Sequence, residues 1–155
     1  MDMGKLKEQI KLDEGYRDCI YLDHLGNRTV GYGHFVNNKD WFRDEKVGFR
    51  LRERDLELLL IGDLAAARRD CEFLFHEFND LPGEAQQVLG NMAFQLGRKR
   101  LGSFKKMIAA IKQRDFVLAA TEMLDSKWAK QQTPERARRL AERMAVVNNA
   151  EEAQS

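Results

Sequence analysis

The sequence is poor in cysteine, proline and histidine, and it has no long apolar run. Its two cysteines, Cys19 and Cys71, form no Cys-x-x-Cys pair and have no metal-site spacing to His24, His34 or His76. A disulfide framework and a zinc site are therefore not the reading, and two free, packed thiols are expected. No segment approaches the roughly 18 apolar residues of a membrane span. Met1-Asp2-Met3-Gly4-Lys5 lacks the apolar stretch of a secretory signal. Synthesis and initial residence in the cytoplasm, without stable membrane insertion, is the expectation. One charge sign does not dominate either: 26 Lys and Arg stand against 25 Asp and Glu, for a net +1. Internal repeats and low-complexity segments are lacking too.

What is there suits a globular protein. The 155 residues are 43% hydrophobic and 33% charged, enough for one domain or two small lobes sharing a helix. The charge is unevenly spread. Residues 1–97 hold 13 basic and 18 acidic residues, a sum of −5; residues 98–155 hold 13 and 7, a sum of +6. A basic back half is suited to an anionic polymer, the plain alternative being a solvated helix surface.

Apolar spacing gives the element order. Met3, Leu6 and Ile10 recur at helical spacing, and Gly15 is expected to close that helix as a left-handed cap. Ile20-Tyr21-Leu22 reads as a strand, His24 to Asn27 as a turn, and Arg28 to Tyr32 as the returning strand. A third strand is a candidate around Val47 to Leu51. From Arg54 onward every segment is helical. Leu56, Leu60, Leu64, Ala67, Cys71 and Leu74 mark a long connecting helix. Pro82-Gly83 punctuates the chain; Val88, Leu89, Met92, Ala93 and Leu96 form a second stripe closed by Gly97. Ser103 can cap a helix carrying Phe104, Met107, Ile108 and Ile111, and Asp115 another ending at Leu124. Thr133-Pro134 is a start signal for a helix that buries Ala137, Leu140, Ala141 and Met144. The polar tail from Asn148 to Ser155 is expected to fray. The fold class is α+β and mostly helical. A front lobe at about 13–55 and a helical lobe at about 1–12 and 75–155 are joined by a helix at about 54–77.

Three residues can carry chemistry. Glu14 continues the stripe of Ile10 at a helix C-terminus, where burial and the macrodipole both favour its protonated form. A carboxyl group that keeps its proton near neutral pH is what a general acid needs. A side chain turned outward at a polar helix end is the alternative. Asp23 stands at a strand-to-turn junction, where Asp also serves turns by bonding backbone N–H groups. Thr29, Gly31 and Gly33 would share one strand face of nearly bare backbone, which a sugar ring could approach. A twisted hairpin without a ligand is the other possibility. An acid, a second carboxylate and a hydroxyl make a glycosidase-like set, since hydrolysis needs one group to protonate the leaving oxygen and another to activate water.

Asp13-Glu14-Gly15-Tyr16-Arg17, Ile20-Tyr21-Leu22-Asp23 and Thr29-Val30-Gly31-Tyr32-Gly33-His34 together resemble the signature of T-even phage lysozymes and their endolysin relatives. Asn91 to Gly97 resembles the family's cleft helix, and Ser126-Lys127-Trp128 with Gln132 to Ala137 its late segment. The matches run in order from about residue 6 to 140. The resemblance implies a lysozyme-like fold and a muramidase that cuts the β-1,4 bond between N-acetylmuramic acid and N-acetylglucosamine. It makes Glu14 the acid, Asp23 the base for an attacking water and Thr29 the holder of that water. Arg136 would orient Glu14 while lowering its pKa, against burial and the dipole; His34 would pair with Asp63. Gly31, Gly33, Phe35, Phe94 and Gln95 are the implied substrate contacts. Trp128 lies either near the cleft or in the core. No metal and no organic cofactor is implied; the partner is bacterial peptidoglycan, met as a monomer after passage through a holin pore. The segment between His34 and Leu56 is shorter than in the family's best-known member, one residue looks inserted near Lys130-Gln131, and the family's last aromatic segment is replaced by Asn148 to Ser155.

Three other readings share some of these features. A lytic transglycosylase needs an acid but no water-activating base, so Asp23 and Thr29 favour hydrolysis. A non-catalytic wall-binding relative would not need the Glu14 and Asp23 pair. A nucleic-acid binder, suggested by Arg136, Arg138, Arg139 and Arg143, lacks both a strong net charge and a reading motif.

Overall fold

Leu6 and Ile10 are fully buried on one side of the first helix, α1 (Met3–Asp13). The computed structural model describes residues 1–149, so the polar tail beyond Asn149 lies outside the described residues. Gly15 does not close α1 in a left-handed conformation, since its φ is not positive. The Glu14 N–H adds one more helical bond, to the Ile10 carbonyl at 2.9 Å. The chain then runs straight into an extended strand, so no left-handed reversal is required.

Strands β1 (Arg17–Leu22), β2 (Arg28–Gly31) and β3 (His34–Phe35) form an antiparallel sheet in the order β1-β2-β3. Tyr21 pairs with Thr29, Leu22 with Arg28, and Val30 with His34. The returning strand stops at Gly31, one residue before the expected end at Tyr32. Gly31 and Gly33 take φ of 67° and 78°, values that glycine adopts without a Cβ penalty and that reverse the chain here. Thr29, Gly31 and Gly33 therefore do not share one strand face. Residues 47–51 form no strand either. They run beside β1 through the bonds Gly48 N–H to Ile20 C=O (2.7 Å), Ile20 N–H to Phe49 C=O (2.9 Å) and Leu51 N–H to Asp18 C=O (2.8 Å). A single bridge joins Cys19 and Arg50. Gly48, at φ 95°, breaks the alternation that a strand needs.

Behind the sheet Ile20, Val30, Phe42, Leu51 and Leu56 make one apolar cluster, with Val36, Phe49 and Leu59 against it. Burial of each such large side chain stabilises the fold by roughly 1.5–3 kcal/mol. The next helix, α2 (Glu53–Leu74), buries Leu56, Leu60, Leu64, Ala67 and Cys71 along one stripe. Both cysteines are free thiols, and burial pushes the Cys71 thiol pKa far up. The chain divides into two compact bodies. Lys7–Ala65 form the first, and Met1–Leu6 with the described residues from Ala66 onward form the second. The first is thus wider than the expected residues 13–55.

In the second body a short 3-10 turn at Phe78–Asp80 precedes α3 (Gly83–Gly102), which breaks at Gly97 (φ 77°, ψ 169°) rather than ending there. Helices α4 (Lys105–Lys112), α5 (Phe116–Leu124) and α6 (Pro134–Ala145) follow. Met107, Ile111, Met123, Leu140 and Met144 of these helices are buried, as are Val88, Leu89 and Met92 of α3. Asp115 caps α5 by accepting the Leu118 N–H at 3.0 Å. Two other expected caps are used differently. The Ser103 hydroxyl donates back to the Arg100 carbonyl at 2.5 Å and so closes α3, leaving α4 without a side-chain cap. Thr133 sits at the N-cap of α6 but makes no capping bond, because its hydroxyl is turned to Gln95. Where a residue looked inserted, the chain makes a π turn, Trp128–Gln132. There the Thr133 N–H reaches back five residues to the Trp128 carbonyl at 2.9 Å. One extra residue in a helical turn has this effect.

Candidate active site

Glu14 is the first residue past α1 and is half-buried. The β2–β3 reversal brings Gly33 beside it: a Cβ on Gly33 would stand 3.5 Å from Glu14 Oε2. Gly33 is exposed, so its missing side chain leaves room next to the carboxyl group. The neighbouring Tyr16 and Tyr32 rings meet at 4.8 Å, and Lys11 Nζ lies 5.9 Å from the Tyr32 centroid. These contacts join the segment after α1 to the reversal. Gly31 is different. It is buried, and a Cβ there would come within 3.3 Å of Leu56 Cδ2.

Asp23 opens the turn between β1 and β2. Its Oδ1 accepts the backbone N–H groups of Leu25 (2.9 Å) and Asn27 (2.8 Å), and its Oδ2 accepts the Asn27 side-chain amide (3.3 Å). The Asn27 backbone N–H is the main cause that holds the Asp23 pKa below the ordinary carboxylate value. Its side-chain amide, Leu25 N–H and the His24 charge act in the same direction, and slight burial opposes them. A carboxylate with several N–H donors stays ionised and keeps accepting. Thr29 is buried at 2% exposure and donates its hydroxyl proton to the Asn27 carbonyl at 3.0 Å. The Asp23 N–H bonds the same carbonyl at 2.9 Å. Asn27 therefore links the two residues, a role that sequence reading missed when it placed Asn27 only in a turn. An Asp followed four residues later by Asn, across a Gly, was the available signal.

His34 lies between two carboxylates. Its Nδ1 is 2.7 Å from Asp63 Oδ2 on α2, and its Nε2 is 2.9 Å from Asp40 Oδ2. Asp40, which the sequence did not single out, also accepts the Asn37 N–H at 2.9 Å. Burial lowers the His34 pKa, but Asp63 and Asp40 outweigh it and raise it from 6.5 to about 9. Two acceptors on the two ring nitrogens require both to carry hydrogen, so the imidazolium is the form that fits. The clasp ties α2, β3 and the segment around Asp40 together. Phe35, next in sequence, is 58% exposed.

In the second body, Arg136 is buried and donates through Nε (2.9 Å) and a terminal nitrogen (2.7 Å) to Asn91 Oδ1 on α3. Phe94 is half-buried. The Gln95 amide accepts the Trp128 indole N–H at 3.0 Å and donates to the Thr133 hydroxyl at 3.1 Å. Trp128 is 2% exposed and meets the edge of Phe104 at 6.0 Å. It is thus a core residue, yet it also lines a groove of about 590 Å³ with Phe104, Arg100, Lys105, Lys106 and Lys127. Among the described residues, no group of three or more His, Cys, Asp or Glu side chains is placed to hold a metal ion. Nor is any helix among them long and apolar enough to cross a membrane.

The sequence has known counterparts. The sequence profile of the phage lysozyme family matches residues 11–145, so the chain belongs to that family. It is similar to "Probable T4-type lysozyme 2" of Dictyostelium discoideum, with 29% identity over 89% of this chain and 92% of the relative. "Probable T4-type lysozyme 1" of the same organism is 27% identical over the same shares. The pre-baseplate central spike protein Gp5 of Enterobacteria phage T4 is 29% identical over 87% of this chain, which spans 26% of that protein. Family membership carries a lysozyme-like, glycosidase-type activity on peptidoglycan at the level of the family.

Proposed function

We propose that this member of the phage lysozyme family hydrolyses the β-1,4 bond between N-acetylmuramic acid and N-acetylglucosamine, with inversion at the anomeric carbon. The observation that carries the reading is the presence of two carboxyl groups in one body, Glu14 just after α1 and Asp23 at the β1–β2 turn. Asp23 is held ionised by N–H donors, while Glu14 stands half-buried against the open backbone of Gly33. In the reaction Glu14 gives its proton to the glycosidic oxygen as the bond to the anomeric carbon breaks. A water oxygen bonds to that carbon from the other face, and one of its protons passes to Asp23. The Thr29 proton is committed to the Asn27 carbonyl. Thr29 therefore offers the water a lone pair, taking its second O–H as a hydrogen bond and fixing its orientation.

Other residues take supporting roles in this reading. Gly33 and Phe35 lie along the sugar chain, with Gly31 shaping the reversal. The groove's four basic residues, Arg100, Lys105, Lys106 and Lys127, outnumber its two acidic ones, Glu122 and Asp125, which suits an anionic wall polymer. The biological role would be host-cell lysis by a monomer that reaches the wall through a holin pore.

The test is release of reducing sugar from purified peptidoglycan, with Glu14→Gln beside the wild type. Gln keeps the shape but has no acid proton. Turnover of the folded variant should fall by about 100-fold or more. A free reducing end supports hydrolysis, whereas an anhydro sugar would mean a transglycosylase. A wild-type protein that leaves every wall preparation intact would overturn the enzyme reading.

A further inference from the structure

The four lone-pair sites of the Asp23 carboxylate are not equivalent. Oδ1 receives two backbone N–H groups, from Leu25 and Asn27, and these fill its acceptor capacity. Oδ2 receives a single donor, the Asn27 side-chain amide at 3.3 Å. One acceptor position is therefore left on the carboxylate, it belongs to Oδ2, and the Asn27 amide fixes which way it points. The Asn27 carbonyl meanwhile takes the Thr29 hydroxyl proton (3.0 Å) and the Asp23 N–H (2.9 Å). One residue thus sets the direction of the base oxygen and the direction of the hydroxyl lone pairs.

We propose that Asn27 is a positioning residue for the reaction: its side-chain amide aims Asp23 Oδ2 at the attacking water, while its carbonyl turns Thr29 to accept from the same water. The inference rests on the glycosidase reading above. The proton of the water goes to Oδ2, because Oδ1 has no lone pair left to receive it. Asn27 acts through Asp23 and Thr29 rather than on the sugar, so its loss should leave sugar binding intact and slow the chemical step. It should also weaken the ionised form of Asp23, since the amide donates only to the carboxylate. The other charged group acting on this carboxylate is His24 in the same turn, which the substitution leaves in place.

The experiment compares wild type, Asn27→Ala and Asn27→Asp in steady-state hydrolysis of soluble peptidoglycan fragments between pH 3 and 8. Both variants keep the backbone N–H and C=O bonds and remove the side-chain amide donor, and Asn27→Asp also adds a carboxylate. Asn27→Ala should lower kcat by about tenfold, with KM within twofold of wild type. Its acidic limb should move up by about half a pH unit. Asn27→Asp, which sets a second carboxylate against the first, should move that limb further. Asn27→Ala with wild-type kcat and an unmoved acidic limb, in a protein otherwise active, would overturn this role alone. Two variants that no longer fold would overturn it as well, because the amide would then hold the turn rather than aim the carboxylate. Wild-type protein without hydrolytic activity would remove the parent reading, and this one with it.

Discussion

The His34 clasp makes stability depend on pH in a direction that can be stated in advance. The imidazole is held between Asp63 and Asp40, and its pKa rises from 6.5 to about 9 on folding. Below pH 6.5 the ring is charged in both folded and unfolded chains, and the clasp contributes fully. Between pH 6.5 and 9 the unfolded chain gives up its proton while the folded chain keeps it. Stability then falls by about 1.4 kcal/mol per pH unit. Above pH 9 both forms are neutral and nothing is left to lose. The difference between 6.5 and about 9 corresponds to roughly 3 kcal/mol. Asp63 is a third exposed, and solvent screening reduces the expectation to about 2 kcal/mol. Urea unfolding at pH 6.5 and at pH 9.5 measures it, with His34→Gln as the reference that cancels other titrations. The wild-type midpoint should fall by about 1 M more than that of the variant, taking a slope near 2 kcal/mol per M. Asp40→Asn should halve the effect and bring the ring's NMR titration midpoint down. Equal losses in wild type and His34→Gln would refute the clasp, and so would a loss confined to pH below 6.

Substitutions at three further positions read other parts of the structure. Thr29→Val removes a hydroxyl whose acceptor, the Asn27 carbonyl, still keeps the Asp23 N–H. It should therefore cost only about 1 kcal/mol in thermal unfolding but lower turnover at least tenfold, while Thr29→Ser retains both. Gly33→Ala forces an alanine to φ 78° and puts a methyl carbon 3.5 Å from Glu14 Oε2. About 1 kcal/mol of stability and a clear part of the activity should go together, measured by thermal unfolding and sugar release. Gln95→Leu leaves the Trp128 indole N–H and the Thr133 hydroxyl without the amide that joins them. A loss of roughly 1–3 kcal/mol should come with a changed Trp128 emission, read in a Trp41→Phe background.

Much of the fold was legible because burial writes itself at fixed spacing. Leu56, Leu60, Leu64, Ala67 and Cys71 repeat at the helical period and are all buried on α2. Ala137, Leu140, Ala141 and Met144 do the same on α6. Misreadings arose where one residue type serves two geometries. Ser103 can cap the helix ahead or close the helix behind, and the sequence is the same in either case. Thr133 is placed to cap α6, but Gln95, 38 residues away, takes its hydroxyl. Gly31 and Gly33 alternate as strand residues would, yet their freedom at positive φ is spent on a reversal. Alternation and reversal both call for glycine, so pattern alone could not separate them.

The candidate site divides along a different line. Glu14, Asp23 and Thr29 could be picked out because chemistry restricts the residue types that can protonate, accept or hold, and because their spacing of nine and six residues fits a known pattern. The groups that set their behaviour are under no such restriction. The Asp23 carboxylate is held mainly by backbone N–H groups, which every residue but proline carries. His34 needs a second carboxylate beside Asp63, and Asp40, six residues away, is one of the 24 other acidic side chains that could have supplied it. Only the turn geometry and the path of the chain after Phe35 bring the partners into place. Reactive groups are therefore read from type and spacing, whereas the groups that tune them are read from distances. The variants most informative about this protein are the ones that change a tuning partner and leave the reactive group in place, Asp40→Asn for His34 and Asn27→Ala for Asp23.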